Sequence, residues 1–146
     1  MPVVNTHLVY PMCAMFALSV VVLAKMFMAR YSAVKSGQMK LGYFKTFTGA
    51  ECTEDVVKTG RQFTNLFEAP VLFYIACLIA MILPVEGFTF LVLAWVYVAV
   101  RIVHAYIHMG ANKVMIRMRV YGVSWLVLIA MWILIFAKAL AISAIA

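Results

Sequence analysis

Charged residues are scarce in this chain of 146 residues, and their scarcity is the first constraint on its class. Lysine, arginine, aspartate and glutamate together make up 12% of the sequence, whereas soluble domains carry about a quarter. Hydrophobic residues reach 67%, and the mean hydropathy is +1.05. These proportions exclude an ordinary soluble fold.

Cysteines are also few. Cys13, Cys52 and Cys77 are odd in number, lie far apart and include no C-x-x-C spacing, so they argue against both a disulfide framework and a metal cluster. No lysine or arginine precedes the first apolar stretch, while Lys25 lies near its C-terminal end and Arg30 follows it. This order predicts a retained helix rather than a cleaved signal peptide.

Long apolar runs are what the chain has in abundance. They cover residues 12–29, 69–83, 88–100 and 120–137. With its flanks, each run reaches the roughly 20 residues that a transmembrane helix needs, and none alternates as a barrel strand would. We therefore predict an all-α integral membrane protein, a four-transmembrane-helix bundle forming one domain over residues 1–146. The predicted helices cover approximately 8–34, 54–83, 87–111 and 114–144.

The net charge of +7 is concentrated in two connections between the predicted helices. Between the first and second apolar runs lie Arg30, Lys35, Lys40, Lys45 and Lys58, and between the third and fourth runs lie Lys113, Arg117 and Arg119. The positive-inside rule then puts both basic loops in the cytoplasm and both termini outside. We therefore expect a multi-pass integral membrane protein, and the short chain is compatible with a bacterial inner membrane. No nucleic-acid partner is indicated.

Polar residues form three stripes at helical spacing, each near the cytoplasmic end of a predicted helix. The stripes are Arg61, Asn65 and Glu68 on the second helix, Arg101, His104 and His108 on the third, and Arg117, Tyr121 and Ser124 on the fourth. Lys25 lies in the inner half of the first helix. Because charges facing lipid are costly, three stripes at one depth favour a polar cavity over side chains that extend singly to the headgroups.

The residue types in these stripes indicate an anionic ligand. Several cationic donors, an amide, a carboxylate and a tyrosine suit a small zwitterion with more than one carboxylate, since arginine binds carboxylates through two parallel hydrogen bonds. Glutathione fits this inventory, although the residues alone do not single it out.

The ordered set of motifs resembles the MAPEG superfamily, the membrane-associated proteins in eicosanoid and glutathione metabolism. The resemblance rests on "LAKMF", "RQFTNLFEAPVLF", "RIVHAYIHMG" and "IRMRVYG", in order over nearly the whole chain. Within that superfamily, the chain resembles the microsomal glutathione transferase-like and prostaglandin E synthase-like members. This resemblance implies a homotrimer that binds glutathione, as co-substrate, in clefts between neighbouring subunits near the cytoplasmic face.

The resemblance also implies roles for individual residues. Arg117 matches the arginine that stabilises the glutathione thiolate, and it is the expected catalytic group. The expected glutathione-binding residues are Lys25, Arg61, Asn65, Glu68, His104, His108, Arg117 and Tyr121, and no metal site is expected. Lys40 is a weaker match to a second functional arginine. Thr64 stands where prostaglandin E synthase-like members carry arginine, and His108 replaces a tyrosine that contacts glutathione in the family. These departures argue against the eicosanoid activities and are compatible with a generic glutathione site.

The expected function is that of a membrane-bound glutathione transferase or peroxidase. The thiolate of bound glutathione would attack a lipophilic electrophile from the bilayer or reduce a hydroperoxide. Two alternatives stay open: a non-enzymatic lipid-binding protein of the same fold, and a small proton-coupled transporter that uses Glu68 as its coupling carboxylate.

Individual residues also have simpler interpretations. His104 and His108 could ligate a metal together with Glu68. Tyr121 could be an interfacial belt tyrosine, and Arg101 could serve the structure alone.

Overall fold

The computed structural model describes residues 6–47, 52–83, 85 and 87–144, and the secondary structure within these ranges is entirely helical. A 3-10 turn, Thr6–Leu8, leads into α1 (Val9–Lys35), and the short α2 (Tyr43–Thr46) lies in the first connection. The remaining helices are α3 (Glu54–Asn65), α4 (Ala69–Ile82), α5 (Phe88–Met109) and α6 (Val114–Ser143). Gly49 in the first connection, and Pro84 and Glu86 in the second, lie outside the described residues.

The helices provide four candidate membrane spans within the described ranges. Thr6–Lys35, Glu54–Ile82, Phe88–Met109 and Val114–Ser143 are each long and apolar enough to cross a bilayer, with α3 and α4 together forming the second. Large apolar side chains such as Phe16, Phe27, Leu126 and Phe136 are exposed on the outer surface. An exposed surface of this composition fits contact with lipid rather than with water.

The second span is interrupted, which corrects the expectation of one continuous helix over residues 54–83. α3 ends at Asn65 and α4 begins at Ala69, and between them Glu68 has φ −97° and ψ −100°. Pro70 accounts for the break. In a continuous helix its nitrogen would have to donate to the Leu66 carbonyl, and its ring would collide with that carbonyl. Helical periodicity therefore does not determine the position of Glu68.

The backbone at the interruption forms 3-10-type turns, which are tighter than those of an α-helix. The N–H groups of Leu66 and Phe67 donate to the carbonyls of Phe63 and Thr64 at 3.1 and 2.9 Å, a three-residue spacing instead of the four of an α-helix. The Asn65 carbonyl is thereby left without the partner that a continuing helix would supply.

The apolar core lies between α4, α5 and α6, with contributions from α1. Phe73 of α4 and Tyr97 of α5 are fully buried and stack with ring centroids 4.7 Å apart and an interplanar angle of 10°. Buried alanines at Ala76 and Ala94 keep these surfaces small, which favours close helix approach in a membrane. This packed region supports the polar end of the bundle.

A compact turn joins α5 to α6. The N–H groups of Gly110 and Asn112 donate to the carbonyls of Tyr106 and Ile107 at 3.0 and 2.9 Å. Asn112 has φ +48°, in the left-handed region that asparagine tolerates better than most residues. A Cβ at Gly110 would lie 2.9 Å from the Tyr106 carbonyl oxygen, too close for a side chain without a backbone shift. The turn therefore fixes where α6 begins.

Candidate functional site

A cavity of about 760 Å³ lies where α3, α5 and α6 meet α1 and the first connection. α3 lines it from Val56 to Asn65, and Glu68 adds the carboxylate from the interruption. All the predicted binding residues except Lys25 line this cavity: Arg61, Asn65, Glu68, His104, His108, Arg117 and Tyr121. Arg61 and Glu68 are exposed in the single chain, whereas the two histidines are buried.

Two predicted basic residues do not reach the cavity within one chain. Lys25 is exposed on α1, and Lys40 is exposed in the first connection. Neither belongs to the lining. Ser124, the last member of the fourth-helix stripe, is also absent from it and donates its hydroxyl to the Tyr121 carbonyl at 2.7 Å.

A hydrogen-bond chain organises the carboxylate end of the cavity. Asn65 donates through Nδ2 to Oε2 of Glu68 at 3.1 Å. Arg101 donates through Nη2 to Oδ1 of the same asparagine at 2.5 Å and to its backbone carbonyl at 3.1 Å. Arg101 does not line the cavity. It orients Asn65, which in turn holds Glu68.

The buried charge of Arg101 is met by the side-chain oxygen and backbone carbonyl of Asn65 and by an aromatic ring, rather than by a carboxylate. Its side chain is 0% exposed, and no carboxylate among the described residues forms an ion pair with it. The carbonyl that it caps belongs to the last turn of α3, where the helix dipole is negative. Its guanidinium carbon also lies 5.7 Å from the centroid of the Tyr121 ring, a cation–π distance.

Arg117, the predicted catalytic residue, lies in the cavity wall contributed by α6. Its Nη1 donates to Oδ1 of Asn112 at 2.7 Å. Arg117 as a residue is half-buried, and it borders the cavity. This setting is suited to stabilising an anion bound in the cavity.

The two histidines of α5 form a buried aromatic wall with Tyr121. The ring centroids of His104 and His108 are 5.6 Å apart, and His104 is also 5.6 Å from Tyr121. Nδ1 of His108 lies 2.7 Å from Oε1 of Gln62, which is 0% exposed. Nδ1 of His104 is buried without a hydrogen-bond partner. Within the described ranges, no group of three or more histidine, cysteine or acidic residues is placed to hold a metal ion.

The end of α1 and the first connection contribute lining residues that the sequence did not indicate. Arg30, Tyr43, Phe47 and Cys52 all border the cavity. The Arg30 guanidinium carbon lies 5.5 Å from the Phe44 ring centroid and 5.7 Å from that of Phe47. A side-chain hydrogen bond with Cys52 raises the pKa of Tyr43, which favours its neutral form. No spacing in the sequence relates these residues to the three stripes.

Gln62 and Asn112 are further polar residues that the sequence interpretation omitted. Gln62 lies three residues before Asn65, a helical spacing that could have placed it near the second-helix stripe. Asn112 lies just beyond the predicted end of the third helix at residue 111. Its contact with Arg117 depends on the left-handed turn, which a spacing rule does not describe.

The four spans and the polar cavity define the class of protein: an integral, multi-pass membrane protein with an arginine-rich site between its helices. The model of the MAPEG family matches residues 8–137, and the chain belongs to that family. No curated protein and no solved structure matched the chain in the corresponding comparisons.

Proposed function

We propose that this protein is a membrane-bound glutathione-dependent transferase or peroxidase that activates the glutathione thiolate. The observation that carries the proposal is that Arg61, Asn65, Glu68 and Arg117 border one cavity. Membership of the MAPEG family supports it, because that family includes glutathione transferases. The proposed assembly is a homotrimer, with glutathione as co-substrate.

The charges of the cavity complement those of the peptide. Glutathione carries two carboxylates and one ammonium group at neutral pH. Arg61 binds a carboxylate through its paired N–H groups, and Glu68 accepts from the ammonium while Asn65 holds it in place. A hydrogen bond to a charged group contributes about 1.5–3 kcal/mol, so a few such contacts are enough for useful affinity.

Arg117 provides the chemical activation. A free thiol has a pKa near 8.5, and an adjacent guanidinium lowers it because it stabilises the thiolate. In the transferase reaction the sulfur forms a bond to an electrophilic carbon as the leaving group departs. In the peroxidase reaction the thiolate attacks a hydroperoxide oxygen and releases an alcohol. A second glutathione then displaces water to give the disulfide, so two thiols supply the two electrons.

The proposed orientation brings both reactants to the site. With the basic connections in the cytoplasm, the cavity is near the compartment in which glutathione keeps thiols reduced. The apolar co-substrate arrives from the bilayer along the exposed apolar helix surfaces. We propose a bacterial inner membrane as the location, with both termini outside.

Replacement of Arg117 tests the proposal. Wild-type protein in detergent, titrated with glutathione at pH 7, is expected to give a saturable thiolate absorbance. Arg117→Ala should reduce it to a few per cent thiolate, since the thiol pKa returns to about 8.5.

Arg119→Ala is the matched control, because Arg119 is an exposed arginine on the same helix and does not line the cavity. It should keep the wild-type signal. An unchanged signal in Arg117→Ala, or no glutathione binding to the wild type by calorimetry, would refute the proposal. Lipid binding without a thiolate signal would instead favour the non-enzymatic lipid-binding role.

A further inference from the structure

We propose that Asn112 is a positioning residue that directs the Arg117 guanidinium into the cavity while leaving its positive charge unneutralised. The inference rests on the function proposed above, because it concerns the thiol pKa of bound glutathione. Asn112 itself does not line the cavity, so its effect is exerted through Arg117.

The contact fixes the flexible part of Arg117. The backbone of this residue is already anchored, because its N–H donates to the Lys113 carbonyl at 3.0 Å within the first turns of α6. The long side chain has several rotatable bonds and would otherwise occupy many rotamers. The 2.7 Å hydrogen bond from Nη1 to Oδ1 of Asn112 selects one of them. The other guanidinium N–H groups then remain available to a ligand.

The turn explains why asparagine occupies this position. At φ +48° most side chains are strained, and the residues that tolerate the left-handed region are chiefly glycine, asparagine and aspartate. Glycine would keep the turn but has no acceptor. Asparagine keeps the turn, which the bond from its N–H to the Ile107 carbonyl at 2.9 Å holds in place, and also provides the acceptor.

The neutrality of the amide distinguishes asparagine from aspartate. A carboxylate would hold the guanidinium equally well but would offset the charge that stabilises the thiolate. Glu68 is the carboxylate in the described part of the cavity lining, and Asn65 already donates to it. The other charged or titratable groups of that lining are Arg30 and Arg61, His104 and His108, and Tyr43, Cys52 and Tyr121. An amide acceptor therefore adds no further negative charge at Arg117.

The experiment is a pH titration of the thiolate absorbance of bound glutathione in wild type, Asn112→Gly and Asn112→Asp. Both variants can keep the left-handed turn. We expect the thiol pKa to rise by roughly one unit in each, within the one to three units that a neighbouring charge contributes. In Asn112→Gly the cause is loss of orientation, and in Asn112→Asp it is the added charge. Affinity measured at least one unit below the thiol pKa that each titration gives, where the thiol is mostly protonated, should stay within threefold of wild type.

Lys113→Ala is the matched control, because it removes an exposed charge beside Asn112 without changing the acceptor. It should leave the thiol pKa at the wild-type value. If Arg117→Ala abolishes the thiolate while both Asn112 variants titrate as wild type, the positioning role is wrong and the proposed function stands. If the wild type forms no thiolate, both fail. Thermal melting in detergent shows whether each variant folds. If Asn112→Gly does not fold, the Asn112→Asp titration decides the question.

Discussion

Asn65 is the residue in which the polar contacts of the site converge. Arg101 donates to its side-chain oxygen, and its amide nitrogen donates to Glu68. The two neighbours fix the orientation of the amide, because a cation requires the oxygen and a carboxylate requires the nitrogen. The buried arginine therefore affects the cavity indirectly, because the Asn65 amide accepts from the cation and donates to the carboxylate at the same time.

Asn65→Asp should therefore weaken glutathione binding. The aspartate can still accept from Arg101, but it cannot donate to Glu68, and two carboxylates then repel each other. We expect the Kd for glutathione to rise about tenfold, which corresponds to about 1.4 kcal/mol. Isothermal titration calorimetry at pH 7 measures it, and the melting temperature shows whether the fold is kept. A Kd within twofold of wild type would contradict the role assigned to the amide.

At the scale of elements, the interruption between α3 and α4 builds the carboxylate end of the cavity. Pro70 prevents the helix from continuing, and the Asn65 carbonyl is consequently free to accept from Arg101 at 3.1 Å. The same interruption places Glu68 in a non-helical conformation beside the cavity. One proline therefore determines both the capped end of α3 and the position of the carboxylate.

Pro70→Ala tests this coupling. Alanine lets the chain through 66–68 close into one helix, in which the N–H of Ala69 competes with Arg101 for the Asn65 carbonyl. We expect the glutathione affinity to fall by roughly tenfold, or about 1.4 kcal/mol, while thermal stability in detergent is maintained. Calorimetry and thermal melting measure the two effects.

Pro11→Ala is the comparison variant. Pro11 also lies in the first turn of a helix, α1, but away from the cavity, and its replacement should leave glutathione affinity unchanged. An unchanged affinity in Pro70→Ala would show that the interruption does not set the geometry of the site.

The sequence predicts the elements better than it predicts their relative placement. Apolar run length identifies the spans, because a bilayer imposes a minimum length. The spacing of His104 and His108 identifies a shared face of α5, because helical periodicity is local. Rotation of one helix against another is not local, so the burial of Gln62 and the approach of Arg30 were missed. Pro70 carries a readable signal, because a proline within a helical pattern breaks the helix.

At the scale of the whole molecule, a single chain leaves part of the predicted site exposed. Lys25 lies on the surface of α1, ten residues before its end, or about 15 Å along the helix. Lys25 also lies inside the apolar run over residues 12–29, which we assign to the hydrocarbon core. A cation facing lipid there is costly. Arg61 and Glu68 are exposed as well, on the cavity side. A neighbouring subunit that covers both surfaces would resolve the cost, and this supports the proposed homotrimer.

Subunit mixing tests whether the site is shared. If Lys25 of one subunit and Arg117 of its neighbour form one site, Lys25→Ala and Arg117→Ala should each lose glutathione activation alone. Co-expressed in equal amounts, they should regain about a quarter of the wild-type sites, since each subunit contributes a different face to the interface. The readouts are the thiolate absorbance and conjugation of a lipophilic electrophile. Variants purified separately and then blended are the control and should regain nothing unless subunits exchange.

The competing arrangement gives the opposite result. A site formed within one chain cannot be restored by mixing, because each chain lacks one of the two residues. Mixed assemblies no more active than the average of the separate variants would therefore refute the shared site. A Lys25→Ala protein with full activity alone would remove Lys25 from the site altogether. Recovery near one quarter would place the lysine of α1 against the cavity of the adjacent subunit, where its charge has a polar partner instead of lipid.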